Sequence, residues 1–294
     1  MKNRFKGVIP PMLTAFTKEG ELDVRATKNI ARFLKEKVHG LFICGTYGSG
    51  PLMSPDEKKR VIDAVTEEVG DSLPVIVMAG STNLRDTIEV AKYAEKAGTS
   101  AVASVGPYYY SYSEDQVVDF FSKLVQSVSI PVYVYNNPKT VGYPITPSLL
   151  KRLYNVGVKG IKDSSFSSIT FYEFIKTLGE EDFDFIIGTE ALVLSAYAYG
   201  ARGIISGVAN ALPEPICDLF DACERGDFSK ASELQLIALN LRDLLHISSA
   251  ISVAQAILQL RGIEAGYPRE PFKPLEKEKL EVVKQKLAQF NLLH

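Results

Sequence analysis

Short apolar runs alternate with longer amphipathic segments from the N-terminus to about residue 225. The runs are GVIPPML, GLFICG, PVIVMAG, SAVASVG, PVYVYN, VKGIKD, FDFIIG and GIISG, centred near residues 10, 43, 77, 103, 133, 160, 186 and 205. Runs so short and continuous are predicted to be strands buried on both faces. The segments between them carry apolar stripes such as Val61, Ile62, Val65 and Val69, and are predicted to be crossover helices. Eight strand-helix units of about 25 to 30 residues predict a (β/α)8 TIM barrel. An open, doubly wound sheet is the structural alternative.

Helix starts fall between the runs. Ser54-Pro55-Asp56-Glu57 combines an N-cap serine, a proline at the first helical position and a glutamate two residues on, which makes a capping box. Ser113 with Gln116 repeats it, and Thr146-Pro147 supplies another cap. After Gly226 the strand signals stop, and residues 227–245, 247–261 and 275–291 read as three helices, with GYPREPFKP between the last two. The predicted organisation is a catalytic barrel over 1–225 and a C-terminal helical extension over 226–294 packed on it.

In such a barrel, chemistry sits at the carboxyl ends of the strands. Those ends bring Thr46-Tyr47, Pro107-Tyr108-Tyr109, Tyr135-Asn136, Lys162-Asp163, Gly188-Thr189-Glu190 and Ser206-Gly207 to one rim, a set rich in hydroxyls with a single lysine. The run VKGIKD holds two lysines. Side chains alternate along a strand, so Val158, Gly160 and Lys162 are expected on one face and Lys159 and Ile161 on the other. Lys162 alone also lies at the carboxyl end, with Gly160 beneath it leaving room for a long side chain, whereas Lys159 is expected to reach water.

A desolvated lysine amine falls below its ordinary value of about 10.4 and becomes a nucleophile that condenses with a ketone. The protonated imine then accepts electrons from a breaking C–C bond, with neither metal nor organic cofactor required. Tyr135, on the adjacent strand, is placed to shuttle protons, and Thr46 and Tyr109 extend a hydroxyl chain from it. The glycines of GTYGSGP let backbone N–H groups converge on an anion, for which a carboxylate is the expected ligand.

Composition narrows the choice further. Thirty-three basic residues against thirty-five acidic give a net charge of −2, which argues against a nucleic-acid or membrane surface. The basic N-terminus is broken by prolines and fits neither a signal peptide nor a span, so a cytoplasmic protein is expected. Cys44, Cys217 and Cys223, and His39, His246 and His294, match no metal or disulfide spacing.

GTYGSG, GPYYY, YNNP and GIKDSS, in this order and spacing, resemble the dihydrodipicolinate synthase/N-acetylneuraminate lyase family over essentially the whole chain. The resemblance implies a homotetrameric class I aldolase or lyase that forms a Schiff base with pyruvate and uses no cofactor. By it Lys162 is the Schiff-base lysine, Tyr135 moves protons, Thr46 links that tyrosine into a relay, and Tyr109 is lent to a neighbouring subunit. Backbone near Thr46 and Tyr47 holds the pyruvate carboxylate, and Gly188, Glu190 and Ser206 are expected to complete the substrate site. Tyr47 departs from the Thr-Thr of many members, and Thr140 stands where the synthases carry an arginine that grips aspartate semialdehyde. GSGPLMSPDEK, PYYYSYSE and AGYPREPFKPL look instead like the 2-keto-3-deoxygluconate aldolases, and Tyr112 replaces the arginine of phosphate-tolerant members. The expected reaction is therefore cleavage of a non-phosphorylated 2-keto-3-deoxy sugar acid to pyruvate and an aldehyde. The synthase reaction and a non-catalytic 2-oxo-acid-binding role are the alternatives.

Overall fold

A computed structural model describes residues 4–292. Strands and helices alternate as β1 (Gly7–Val8), α1 (Val24–Lys35), β2 (Leu41–Ile43), α2 (Pro55–Val69), β3 (Val75–Met78), α3 (Leu84–Lys96), β4 (Ala101–Val105) and α4 (Glu114–Ser127). The second half continues with β5 (Val132–Asn136), the short α5 (Pro138–Val141), α6 (Pro147–Asn155), β6 (Gly160–Asp163), α7 (Ser168–Leu178), β7 (Asp184–Ile187), α8 (Val193–Ala198), β8 (Gly203–Ile204) and α9 (Pro213–Glu224). All neighbouring strands pair in parallel, in the order β1-β8-β7-β6-β5-β4-β3-β2.

The sheet curls until its ends meet. Between β1 and β2 the bonds are His39 N–H to Val8 O (2.9 Å), Phe42 N–H to Pro10 O (3.0 Å) and Met12 N–H to Phe42 O (2.9 Å). Pro10 and Pro11 have no N–H, so the first run is regular strand only over its first two residues although it lines the barrel beyond them. The closed (β/α)8 TIM barrel replaces the open-sheet alternative.

Alternation divides the apolar residues into two bodies. Ile76, Met78, Ala101, Ala103, Tyr133, Tyr135 and Ile186 point inward with Phe42, while Val75, Val77, Val102, Val134, Ile161 and Phe185 point outward against the helices. Register sets the levels: Tyr133 lies opposite Gly160, and Tyr135 opposite Lys162. The room above Gly160 is taken by Tyr133, since a Cβ there would sit 2.2 Å from the ring's Cε1. Val158 precedes the strand, still tied by its N–H to Leu153 O (3.1 Å), and packs in the outer body rather than inside.

Both capping boxes form, at Ser54/Glu57 and Ser113/Gln116, and Thr146 caps α6; such caps contribute about 1 kcal/mol each. Beyond the barrel lie α10 (Phe228–Leu245), α11 (Ala250–Leu260) and α12 (Lys277–Gln289). Their buried faces, with Leu234, Leu241, Val253 and Leu287, join the same outer apolar body as the barrel helices. No single helix among the described residues is long and apolar enough to cross a membrane.

Candidate active site

A cavity of about 150 Å³ opens at the carboxyl ends of the strands and is lined by Thr46, Tyr47, Tyr135, Lys162, Gly188 and Glu190 among others. Lys162 lies at its floor, 3 % exposed. Its Nζ sits 4.0 Å from the Phe42 ring centroid and 3.9 Å from that of Tyr135. Aromatic faces attract an ammonium, but they replace water poorly. Burial accordingly pushes the amine below its ordinary range, against the opposing pull of Tyr135. Lys159 is half-buried, below the strand's end.

Tyr135 shares the level of Lys162 on the neighbouring strand. Burial alone would raise its phenol; the Lys162 charge and the hydroxyls of Thr46 and Ser164 outweigh burial and bring it below its usual range. The two shifts are coupled, because the phenol is lowered while the amine carries its proton. Asn137 Nδ2 donates to Tyr135 Oη at 3.1 Å. Thr46 stands on the loop after β2, where Cys44 and Ser49 take left-handed φ values of 58° and 55°. Gly50 admits that fold, for a Cβ there would lie 1.8 Å from Cys44 O. Thr46 thereby comes within hydrogen-bonding reach of the Tyr135 phenol.

The far wall is polar and charged. Ser206 Oγ donates to Glu190 Oε2 at 2.8 Å, and Glu190 Oε1 faces Arg242 Nε at 3.5 Å. Gln235 Nε2 donates to Glu190 O at 2.8 Å, so two residues one heptad apart on α10 clasp the turn after β7. Gly188 passes close to Ser164, whose Oγ donates to Gly188 O at 3.2 Å. Tyr47 spans the cavity toward Gly207.

Most of the sequence-predicted set thus converges: Lys162, Tyr135, Thr46, Tyr47, Gly188 and Glu190 share one cavity, with Ser206 behind Glu190. Tyr109 stands apart. It is 83 % exposed with φ 83° and does not line its own chain's cavity. Seven lining residues escaped the sequence reading: Pro11, Asn137, Ser164, Phe166, Ile205, Arg242 and His246. Phe166 holds φ 60° and lies between the cations of Lys139 (5.2 Å) and Arg242 (5.4 Å). Asn137 and Ser164, each next to a strand-end residue already singled out, were legible from position; Arg242 was not, because it comes from a helix outside the barrel.

Comparison with known proteins settles the ancestry. The model of the dihydrodipicolinate synthetase family matches residues 4–290. The chain belongs to that family. A 2-dehydro-3-deoxy-D-gluconate/2-dehydro-3-deoxy-phosphogluconate aldolase of Thermoproteus tenax is 34 % identical over 275 residues, 92 % of this chain and 87 % of that protein. A 4-hydroxy-tetrahydrodipicolinate synthase of Archaeoglobus fulgidus is 33 % identical over 290 residues, 98 % of this chain and 99 % of the relative. Among crystal structures, YagE, a prophage protein of the dihydrodipicolinic acid synthase family from E. coli K12 in complex with pyruvate, superposes with a TM-score of 0.93 at 29 % identity, covering 98 % and 99 % of the two chains. As a member of the dihydrodipicolinate synthetase family, the protein is a pyruvate-dependent carbon–carbon lyase.

Proposed function

We propose that the chain is a class I aldolase that reversibly cleaves a 2-keto-3-deoxy sugar acid, such as 2-keto-3-deoxygluconate, to pyruvate and an aldehyde through an imine on Lys162. The observation that carries this reading is the burial of the Lys162 amine against two aromatic faces with no carboxylate among the described residues paired to it, which favours the neutral nucleophile. The neutral amine adds to the keto carbon, and Tyr135 gives its phenolic proton to the carbinolamine hydroxyl, which departs as water and leaves a protonated imine beside the Tyr135 phenolate. Tyr135 takes the proton of the C4 hydroxyl, the C3–C4 bond breaks, and its electron pair moves into the imine to give an enamine as the aldehyde departs. Tyr135 returns a proton to C3, and hydrolysis releases pyruvate and the amine.

Thr46 relays protons to Tyr135, a role its contact with the phenol supports. The substrate carboxylate binds the Thr46 and Tyr47 amides, which donate to no acceptor within the chain among the described residues. Glu190, oriented by Ser206, and Gly188 complete the wall facing the rest of the substrate. Tyr109, exposed and outside the lining of its own chain's cavity, serves a neighbouring subunit's relay in a homotetramer.

Treatment with borohydride in the presence of pyruvate tests the core of this reading by locking an adduct on Lys162; an unlabelled protein removes it. A second reading, the synthase reaction with aspartate semialdehyde, draws on the names of relatives such as the Archaeoglobus protein. Against it, Thr140 turns its hydroxyl into its own loop, donating to Asn137 O at 3.0 Å, and offers no cation for a second carboxylate. Supplying pyruvate with glyceraldehyde or with aspartate semialdehyde separates the two.

A further inference from the structure

Tyr47 follows Thr46 on the same loop, yet its phenol crosses to the opposite wall of the cavity. A Cβ built on Gly207 would lie 2.2 Å from Tyr47 Oη and 2.4 Å from Cζ. The phenol therefore occupies the space a side chain at 207 would need, and that glycine is what admits it. Burial raises the Tyr47 phenol far above its ordinary range, the Glu190 charge adds to this and Arg242 opposes it, so the hydroxyl keeps its proton and can donate. Its electrostatic neighbours are thus an anionic acceptor and a cationic donor. Glu190 and Arg242 face each other at 3.5 Å and largely cancel in charge.

A wall with one carboxylate, one guanidinium and one protonated phenol suits neither a free cation nor a free anion. It suits an alcohol, which donates and accepts at once. Resting on the Schiff-base reading of Lys162, we propose that Tyr47 is a specificity residue whose phenol, together with Glu190 and Arg242, recognises a hydroxyl on the aldehyde portion of the substrate. The leaving fragment is then an uncharged polyhydroxylated aldehyde. Gly207 belongs to the same device, as the gap that lets the phenol reach it.

Condensation of pyruvate with glyceraldehyde and with propanal, which has the same chain length and no hydroxyls, tests the assignment in the wild type, Tyr47→Phe and Gly207→Ala. The ratio of kcat/KM for glyceraldehyde over propanal is expected to fall about ten-fold in Tyr47→Phe, the scale of one lost hydrogen bond to substrate. Gly207→Ala, by displacing the phenol, is expected to lower the ratio similarly, and the double variant to lower it no further. Should Gly207→Ala not fold, Tyr47→Phe decides alone. An unchanged ratio, or an equal loss with both aldehydes, overturns the proposal. Borohydride trapping of pyruvate on the wild type is run alongside. No adduct on Lys162 removes the Schiff-base reading underneath, whereas an adduct with an unchanged ratio removes only the role of Tyr47.

Discussion

Replacing Lys162 by methionine separates what the amine does for chemistry from what it costs the fold. Methionine has nearly the same length and no charge. The amine at 162 is 3 % exposed, and holding it there as an ion costs several kcal/mol. Two aromatic faces at 4.0 and 3.9 Å return up to about 2 kcal/mol each. The lowered amine says that desolvation wins. A net gain of about 1–3 kcal/mol is expected for Lys162→Met. Unfolding entropy of about 2.1 cal/mol/K per residue over 294 residues gives roughly 0.6 kcal/mol/K. The midpoint should therefore rise by about 2–5 °C, while turnover falls by at least about 10⁴-fold.

The pH dependence carries the same sign. An amine held below its ordinary value binds fewer protons folded than unfolded, so wild-type stability rises with pH between the depressed value and about 10.4 and is lowest beneath that window. The methionine variant loses this contribution. Thermal unfolding by calorimetry across pH, paired with pyruvate trapping and turnover, reads all three quantities. A variant less stable than wild type at neutral pH, or one that still turns over, refutes the reasoning.

Other substitutions probe separate links. Tyr135→Phe should lower kcat by about 10²–10³-fold and flatten its pH profile, with little change in pyruvate trapping; steady-state kinetics would show an unchanged kcat if the phenol only packs. Gly160→Ala should cost about 3 kcal/mol, because its Cβ would lie 2.2 Å from Tyr133 Cε1 and 2.9 Å from Asp184 O. Tyr133→Val should recover part of that loss in a double-mutant cycle by denaturation, and additive costs would disprove the contact. Arg242→Gln leaves buried Glu190 without its facing cation and should cost about 1–2 kcal/mol on chemical denaturation. It should raise KM for the aldehyde more than for pyruvate; an equal rise in both contradicts its place on the far wall.

The barrel was legible because two-sided burial and alternation leave a plain mark. Ile76 and Met78, or Tyr133 and Tyr135, could be set inward by counting alone, and the same counting separated Lys162 from Lys159. Counting failed at Val158, where a turn bond to Leu153 O delays the strand by two residues. The space at Gly160 was assigned to the wrong side chain, since only register reveals that Tyr133 lies across from it. Arg242 left no trace at all: it sits on one face of an ordinary helix, and its approach to Glu190 depends on how α10 docks. Phe166 was hidden for another reason, a left-handed backbone in a residue that rarely adopts one.

The seam between β1 and β2, with its two prolines, has a bearing on where the barrel yields. Five strand pairs around the ring carry regular ladders of three or more residues, but here closure rests on the few amides that remain, those of His39, Phe42 and Met12. In the circle of eight, that seam lies diametrically across from β5 and β6, which hold the phenol and the amine. Two backbone donors are thus missing at the point of the ring farthest from Tyr135 and Lys162. Deuterium uptake at Phe42 should outrun uptake at Tyr135 and Lys162, which lie on the arc with the longest ladders.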